Sequence, residues 1–208
     1  MNRRLLLSTI GLSPLALISA KIPVTDTPFV DNLIKRWKNS KTYTSKVFEA
    51  MPSEHIEYSP TEEQMSFAQH FMHLGYTNNS FIGVLVDDRT YPDYNALKGA
   101  DFFLERPDPV SPFFPDRMQK REAEQNKALV SAYLTSTFDY VISSLENLND
   151  ALLTRGEDKV KPWYLEGHTN LDLILRSESH TAHHRAQAIT YLRMKGIQPP
   201  GYSKNNTF

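Results

Sequence analysis

The stretch NLDLILRSESHTAHHRAQAITYLRMK, residues 170–195, places the strongest constraint on the fold of this chain. Helix signals stand at both of its ends. Thr169 or Asn170 has the side chain that favours the N-cap position of a helix. Gly196 follows the last turn, where glycine commonly ends a helix. The sequence therefore predicts one long helix over this stretch.

Two histidines lie one turn apart on that helix. His180 and His184 are at positions i and i+4, so their side chains project from the same face. His183 points about 100° away from His184 and lies outside that face. Two neighbouring imidazoles form half of a site for a first-row transition metal. A third ligand must come from elsewhere in the chain.

Helical periodicity predicts three further long helices, over residues 27–51, 59–86 and 117–153. Residues 87–116, between the second and third of them, are rich in proline and aromatic residues and long for a connection. With only 8 glycines in the chain, a turn-rich β fold is disfavoured. The predicted fold is an all-α four-helix bundle with a long crossover connection between helices 2 and 3.

The second predicted helix has a start signal and two histidines. Ser59 and Glu62 match a capping box, and Pro60 takes the favoured first position of the helix. His70 and His73 follow within the same helix, one turn apart. Spacing alone leaves open which of them faces the His180–His184 pair.

Composition limits the chemistry. The chain has no cysteine, so a metal site must be built from histidine and carboxylate. Lys and Arg total 23 against 24 Asp and Glu, a formal charge of −1, and no basic run occurs. A nucleic-acid partner would require a positive stripe, so we expect none.

Residues 1–20 have the layout of a secretory signal peptide. Arg3 and Arg4 form the positive region and resemble a twin-arginine signal, and an apolar run follows over residues 5–18. An exported protein, periplasmic or secreted, is predicted, with a domain over residues 27–202 and no stable membrane insertion after processing. The alternative is that the signal stays uncleaved as a membrane anchor.

Three segments resemble the DinB-like (YfiT-like) metalloproteins. ESHTAHHRAQAITYLRMKGIQPP is similar to the family's C-terminal helix, with its H-x3-H-R-G-Q pattern and Y-L-R-x-x-G-x-x-P-P close. MPSEHIEYSPTEEQMSFAQHFMHLGYTN resembles the first loop and second helix, and NKALVSAYLTSTFDYV resembles the third helix. The resemblance covers about residues 29–202. It departs from the pattern at Ala186, where the family usually has glycine.

The resemblance implies a three-histidine metal site with His73, His180 and His184 as ligands. His70 takes the position of a non-ligand, so a His70→Ala change is expected to leave metal binding largely intact. The implied metal is divalent, zinc or nickel, and a homodimer is implied as well. Some members of the family are thiol-dependent transferases or isomerases, and others resemble amidohydrolases.

Three histidines with the remaining positions open are typical of a catalytic rather than a structural metal site. We therefore expect a metal-dependent hydrolase or transferase that acts on a small-molecule substrate through a metal-activated water or thiol. The alternative is a non-catalytic exported module for metal binding or protein interaction. A third hypothesis is a polar core of histidines without metal. The sequence identifies no catalytic residue beyond the ligands.

Overall fold

A computed structural model describes residues 28–202 of the chain. In chain order its helices are α1 (Pro28–Glu49), α2 (Phe67–Val86), α3 (Tyr94–Lys98), α4 (Ala123–Glu146), α5 (Asp150–Leu153) and α6 (Asn170–Met194), with a 3₁₀ turn at Ser53–His55. This range contains no β-strand, and the all-α prediction is confirmed for it. Among these helices, none is long and apolar enough to cross a membrane. The predicted signal peptide, residues 1–20, and residue 27 lie outside the described part.

Helix α2 lies at the centre of the packing. It contacts α4 and α6 along its length, and α1 packs against the same two helices. Every residue of α2 except Val86 is buried. The largest fully buried side chains around it include Trp37, Phe48, Phe67, Phe71, Leu134 and Phe138. Because buried polar groups are costly unless they are hydrogen-bonded, the polar residues of α2 must find partners on the neighbouring segments.

Helix α6 begins as the sequence predicts. The Thr169 hydroxyl accepts a hydrogen bond from the Asp172 backbone N–H, and the Asp172 carboxylate accepts one from the Thr169 backbone N–H. This reciprocal capping box satisfies two of the free N–H groups at the helix start. The helix ends before Gly196, which has φ +73° and thus the left-handed conformation that glycine tolerates best.

The predicted start of the second helix is wrong. Ser59 and Glu62 lie in a turn region, and α2 begins eight residues after Ser59, at Phe67. The N-cap is Ser66, whose hydroxyl accepts a hydrogen bond from the Gln69 backbone N–H at 3.2 Å. Ser66 and Gln69 repeat the spacing of Ser59 and Glu62, so the sequence offers two similar start signals.

Tertiary structure decides between these two start signals. The Phe67 N–H donates to the Tyr58 carbonyl, and the Ala68 N–H donates to the Ile56 carbonyl, both at 2.8 Å. The chain before α2 therefore folds over the helix start and supplies acceptors for N–H groups that a helix leaves free. These contacts fix the first turn at Phe67.

The third predicted helix, over residues 117–153, is shorter in the structure and divided in two. Helix α4 ends at Glu146, and Asn149 then caps α5 by accepting a hydrogen bond from the Leu152 backbone N–H. Before α4, the chain is held by an ion pair between the buried Asp108 and Arg121, with an N–O distance of 2.6 Å. This pair fastens the long connection to the start of α4.

Candidate metal centre

Helices α2 and α6 bring three histidines together. One ligand atom from each of His73, His180 and His184 lies within 4.8 Å of the others. The ring centroids of His73 and His184 are 4.3 Å apart, and those of His180 and His184 are 4.5 Å apart. These are the three residues that the family resemblance implies as ligands. We call this group the histidine triad.

The ring of His73 is oriented by the connection between α2 and α4. Its Nδ1 atom donates a short hydrogen bond to the Pro112 carbonyl oxygen. A carbonyl oxygen only accepts hydrogen bonds, so the proton of the neutral imidazole must be on Nδ1. The Nε2 atom of His73 consequently carries a free lone pair.

The ring of His180 is oriented by Thr77, one turn after His73 on α2. The Thr77 hydroxyl donates to the His73 or Leu74 carbonyl oxygen, at 2.9 and 3.1 Å. When it donates to one of these carbonyls, it accepts from Nδ1 of His180, which lies 3.2 Å away. This arrangement again puts the proton on Nδ1 and leaves the lone pair on Nε2.

The ring of His184 is held by His70. The two Nδ1 atoms are 2.9 Å apart, and Nε2 of His70 lies 3.3 Å from the Tyr191 hydroxyl. The Tyr191 hydroxyl in turn lies 3.2 Å from the Met65 carbonyl oxygen, which only accepts. The Tyr191 hydroxyl therefore donates to that carbonyl and accepts from Nε2 of His70, so Nδ1 of His70 accepts from Nδ1 of His184. The lone pair of His184 is thus on Nε2.

All three rings of the triad therefore have Nδ1 engaged and Nε2 free. The Nε2 atoms of His73 and His180 face each other at 3.2 Å. With Nδ1 protonated on both rings, both Nε2 lone pairs are available to a cation between them, whereas without a cation one Nε2–H can donate to the other ring. Two nitrogens of a tetrahedral zinc site with Zn–N bonds of about 2.0–2.1 Å are about 3.3 Å apart. The spacing and chemistry of the donors fit a divalent transition metal.

Burial keeps these imidazoles neutral. Desolvation, with a smaller contribution from the nearby His73, lowers the pKa of His70 and of His180 to about 4. Desolvation lowers the pKa of His184 further, to about 2, and also lowers the pKa of His73. Only a neutral imidazole has a lone pair to share with a metal. The surroundings of the triad thus favour the ligand form well below neutral pH.

A single glutamine on α2 holds the part of the connection that reaches His73. The Gln69 side-chain amide donates to the Ser111 and Phe114 carbonyl oxygens at 2.7 and 2.6 Å. Its carbonyl oxygen accepts from the Asp116 backbone N–H at 3.1 Å. Three hydrogen bonds from one buried side chain therefore fix residues 111–116, which carry the Pro112 carbonyl.

A cavity of about 610 Å³ opens beside His184 and His70. Gln64, Gln187 and Tyr191 contribute polar groups to its wall, and methionine and proline side chains complete it. Its size is in the range that holds a small molecule. We call it the His184 cavity.

Other polar residues of α6 lie outside the triad. His183 is exposed, and its Nε2 atom lies 2.9 Å from the Gln187 amide nitrogen. Glu178 forms a bidentate ion pair with Arg36 of α1. Gln187 and Tyr191 lie in the wall of the His184 cavity. The sequence did not predict that Thr77, Pro112 and His70 orient the three imidazoles. Only Thr77, four residues after His73, has a spacing that a local pattern could have indicated.

Comparisons with known proteins agree with this architecture. The model of the DinB superfamily matches residues 36–188. The crystal structure of YjoA, a DinB-like protein from Bacillus subtilis, is similar over 82% of this chain and 97% of that one, with a TM-score of 0.58 and 16% sequence identity. At this identity the likeness supports the fold alone. The comparison with curated proteins gives no match. Because the family model matches most of the length of this chain, the chain belongs to the DinB superfamily.

Proposed function

We propose that the chain binds one divalent transition-metal ion, zinc or nickel, through Nε2 of His73, His180 and His184. The observation that carries this proposal is the pair of Nε2 atoms facing each other at 3.2 Å, with His184 beside them. This spacing is close to the separation of two nitrogens in a tetrahedral zinc site. The donor set of three neutral imidazoles suits these two metals.

We further propose that the protein is a metal-dependent hydrolase or transferase that acts on a small molecule. Three protein ligands leave coordination positions for substrate, whereas a structural zinc site has four protein ligands. When bound, the metal would supply the acidity that turns a water molecule or a thiol into a nucleophile near neutral pH. The His184 cavity supports this proposal because one member of the triad, His184, lines a space of small-molecule size.

The chain's own residues have distinct roles in this proposal. His73, His180 and His184 hold the metal, and their partners Pro112, Thr77 and His70 keep each Nδ1 protonated and each ring in place. Gln187 and Tyr191 form part of the wall of the His184 cavity, against which a substrate would lie. Hydrogen-bonded partners of this kind raise metal affinity because they orient the ligand rings before the metal arrives.

Metal analysis of purified protein tests this function. We expect one zinc or nickel ion per chain after loading and dialysis, and none in the His73→Ala, His180→Ala or His184→Ala variants. His183→Ala is the matched control, since His183 is on the same helix but exposed and outside the triad. Full metal content in the triad variants would refute the site. Metal binding without hydrolysis or thiol transfer, compared with and without chelator, would favour the non-catalytic module.

We also propose that the four long helices form a four-helix bundle in which the chain between α2 and α4 is a crossover. Contacts of both α1 and α2 with α4 and α6 support this arrangement. We propose in addition that residues 1–20 direct export and are removed, and that the mature protein forms a homodimer. N-terminal sequencing of protein from fractionated cells and light scattering of the purified protein test these two points.

A further inference from the structure

A second cavity, of about 460 Å³, lies beside the triad and has a mostly aromatic wall. We call it the aromatic cleft; its rings are those of Tyr76, Phe81, Tyr94, Phe113, Trp163 and Tyr164. Two of these rings are well exposed, Trp163 at 84% and Phe113 at 45%. Exposed aromatic surface gathered around a cavity of small-molecule size is typical of a binding site.

The aromatic cleft borders two of the three ligands. Thr77 lines the cleft and is hydrogen-bonded to His180. The ring centroid of Phe81 lies 6.3 Å from that of His180, and the ring centroid of Phe113 lies 6.2 Å from that of His73. A molecule in the cleft therefore has one end beside the triad.

Several hydroxyl groups of the cleft are already hydrogen-bonded, so its ring surfaces dominate the wall. The hydroxyls of Tyr76 and Tyr94 lie 3.2 Å apart and are hydrogen-bonded to each other. The Thr77 hydroxyl already donates to a backbone carbonyl and accepts from His180. A flat apolar group that stacks against the rings is the ligand that such a wall recognises best.

Charge selects against a cationic ligand. The Arg106 guanidinium lies 5.5 Å from the Tyr76 ring centroid, and the Arg176 guanidinium lies 5.5 Å from that of Phe81. Two rings of the cleft, those of Tyr76 and Phe81, thus already contact an arginine guanidinium, and these positive charges would repel a cationic ligand. The lining residues include no carboxylate that could balance it.

We propose that the aromatic cleft binds a neutral aromatic group of the small-molecule substrate and so directs the reacting end of that substrate to the triad. The orientation of the substrate towards the triad rests on the metal-dependent function proposed above. Binding of the aromatic group depends only on the cleft. The experiments below therefore test binding and orientation separately.

Fluorescence titration with the neutral probe N-phenyl-1-naphthylamine tests the cleft on the metal-free, chelator-treated protein. We expect binding that is weakened about five-fold by Trp163→Ala and by Phe113→Ala, the loss expected for one aromatic contact. Phe114→Ala is the matched control, because Phe114 is the next residue, is 72% exposed and is outside the cleft wall. Met194→Ala alters the His184 cavity instead. If Phe114→Ala or Met194→Ala weakens binding as much as the two cleft variants, the proposal is wrong.

Competition tests the preference for a neutral ligand. Benzyl alcohol should displace the probe, whereas benzyltrimethylammonium, which carries a similar ring and a fixed positive charge, should displace it at least about five-fold less effectively. Equal or better displacement by the cation would overturn the assignment to a neutral group. The expected ranking should persist in the metal-free protein, since the cleft residues do not bind the metal.

Paramagnetic relaxation tests the position of the ligand relative to the triad. The ¹⁹F signal of 4-fluorobenzyl alcohol should relax faster in the Co²⁺-loaded protein than in the Zn²⁺-loaded one, and Phe113→Ala should reduce the difference. Unchanged relaxation with Co²⁺ bound would refute the placement of the substrate. If none of Zn²⁺, Ni²⁺ and Co²⁺ binds while the probe still distinguishes Phe113→Ala from Phe114→Ala, the metal-dependent function fails and the cleft stands.

Discussion

Nδ1 of His70 lies 2.9 Å from Nδ1 of His184 and holds that ring with its other nitrogen directed to the triad. At the proposed metal site, His70 is thus a positioning residue for His184. Its own second nitrogen is hydrogen-bonded to Tyr191, so the orientation is fixed from both sides. This contact changes the expectation, drawn from the family pattern, that His70 is dispensable for metal binding.

The first prediction concerns that contact. His70→Ala should weaken zinc binding by about 10- to 100-fold without abolishing it, because His184 loses the partner that fixes its ring and its proton. Competition with a chromophoric chelator measures the affinity. His183→Ala should leave the affinity within about two-fold, since His183 is exposed. Equal affinities for the two variants would mean that His184 is positioned by its helix alone.

The second prediction concerns acid stability of the metal-free protein. The pKa of His70 and of His180 falls from 6.5 in the unfolded chain to about 4 in the fold, so below pH 6.5 the unfolded state binds more protons. Stability should therefore decrease as the pH falls from about 6.5 towards 4, by at most about 1.4 kcal/mol per pH unit for each group. Urea unfolding at several pH values measures this slope.

A double variant supplies the control for this slope. His70→Gln combined with His180→Gln removes two of the four buried imidazoles whose pKa is lowered and keeps hydrogen-bonding side chains, so its stability should depend less on pH over the same range. Carboxylates titrate in both proteins, so their contributions to the pH dependence of stability cancel when the two slopes are compared. Identical slopes would show that the two imidazoles do not govern acid stability.

The third prediction concerns removal of the metal. Large side chains such as Trp37, Phe71 and Phe138 are fully buried and form a core independent of the triad. Chelation should therefore leave the far-UV circular dichroism spectrum unchanged at 25 °C and lower the Tm by about 5–10 °C, as expected for loss of a ligand that binds only the folded state. Loss of helicity on chelation would instead assign a structural role to the metal.

The fourth prediction concerns a close approach between α2 and the connection after it. A Cβ atom at Gly83 would lie 2.2 Å from the Phe102 ring, so Gly83→Ala must displace that buried ring. We expect a loss of about 1–3 kcal/mol in unfolding free energy, measured by urea denaturation. Gly99→Ala is the control, since its Cβ would meet its nearest atom at 3.8 Å, and its effect should stay within about 0.5 kcal/mol.

The sequence predicted the helical class, the long C-terminal helix and the group of His73, His180 and His184 because these depend on local pattern and on the resemblance to a family. The start of α2 depended on backbone contacts with Tyr58 and Ile56, and two similar capping signals could not be ranked without them. The role of His70 was hidden for a related reason. Its partner His184 is 114 residues away, and no local pattern indicates that contact.

The three hydrogen bonds of Gln69 have an evolutionary consequence. Residues 111–116, which they fix, carry both the carbonyl that orients His73 and the Phe113 ring of the aromatic cleft. Surface connections tolerate insertions and deletions when they carry no fixed contact. Relatives with other substrates should therefore vary in the length and composition of the connection between α2 and position 111. A side chain equivalent to Gln69 should keep the residues equivalent to 111–116 in register. Substrate preference would then diverge without any change at the metal.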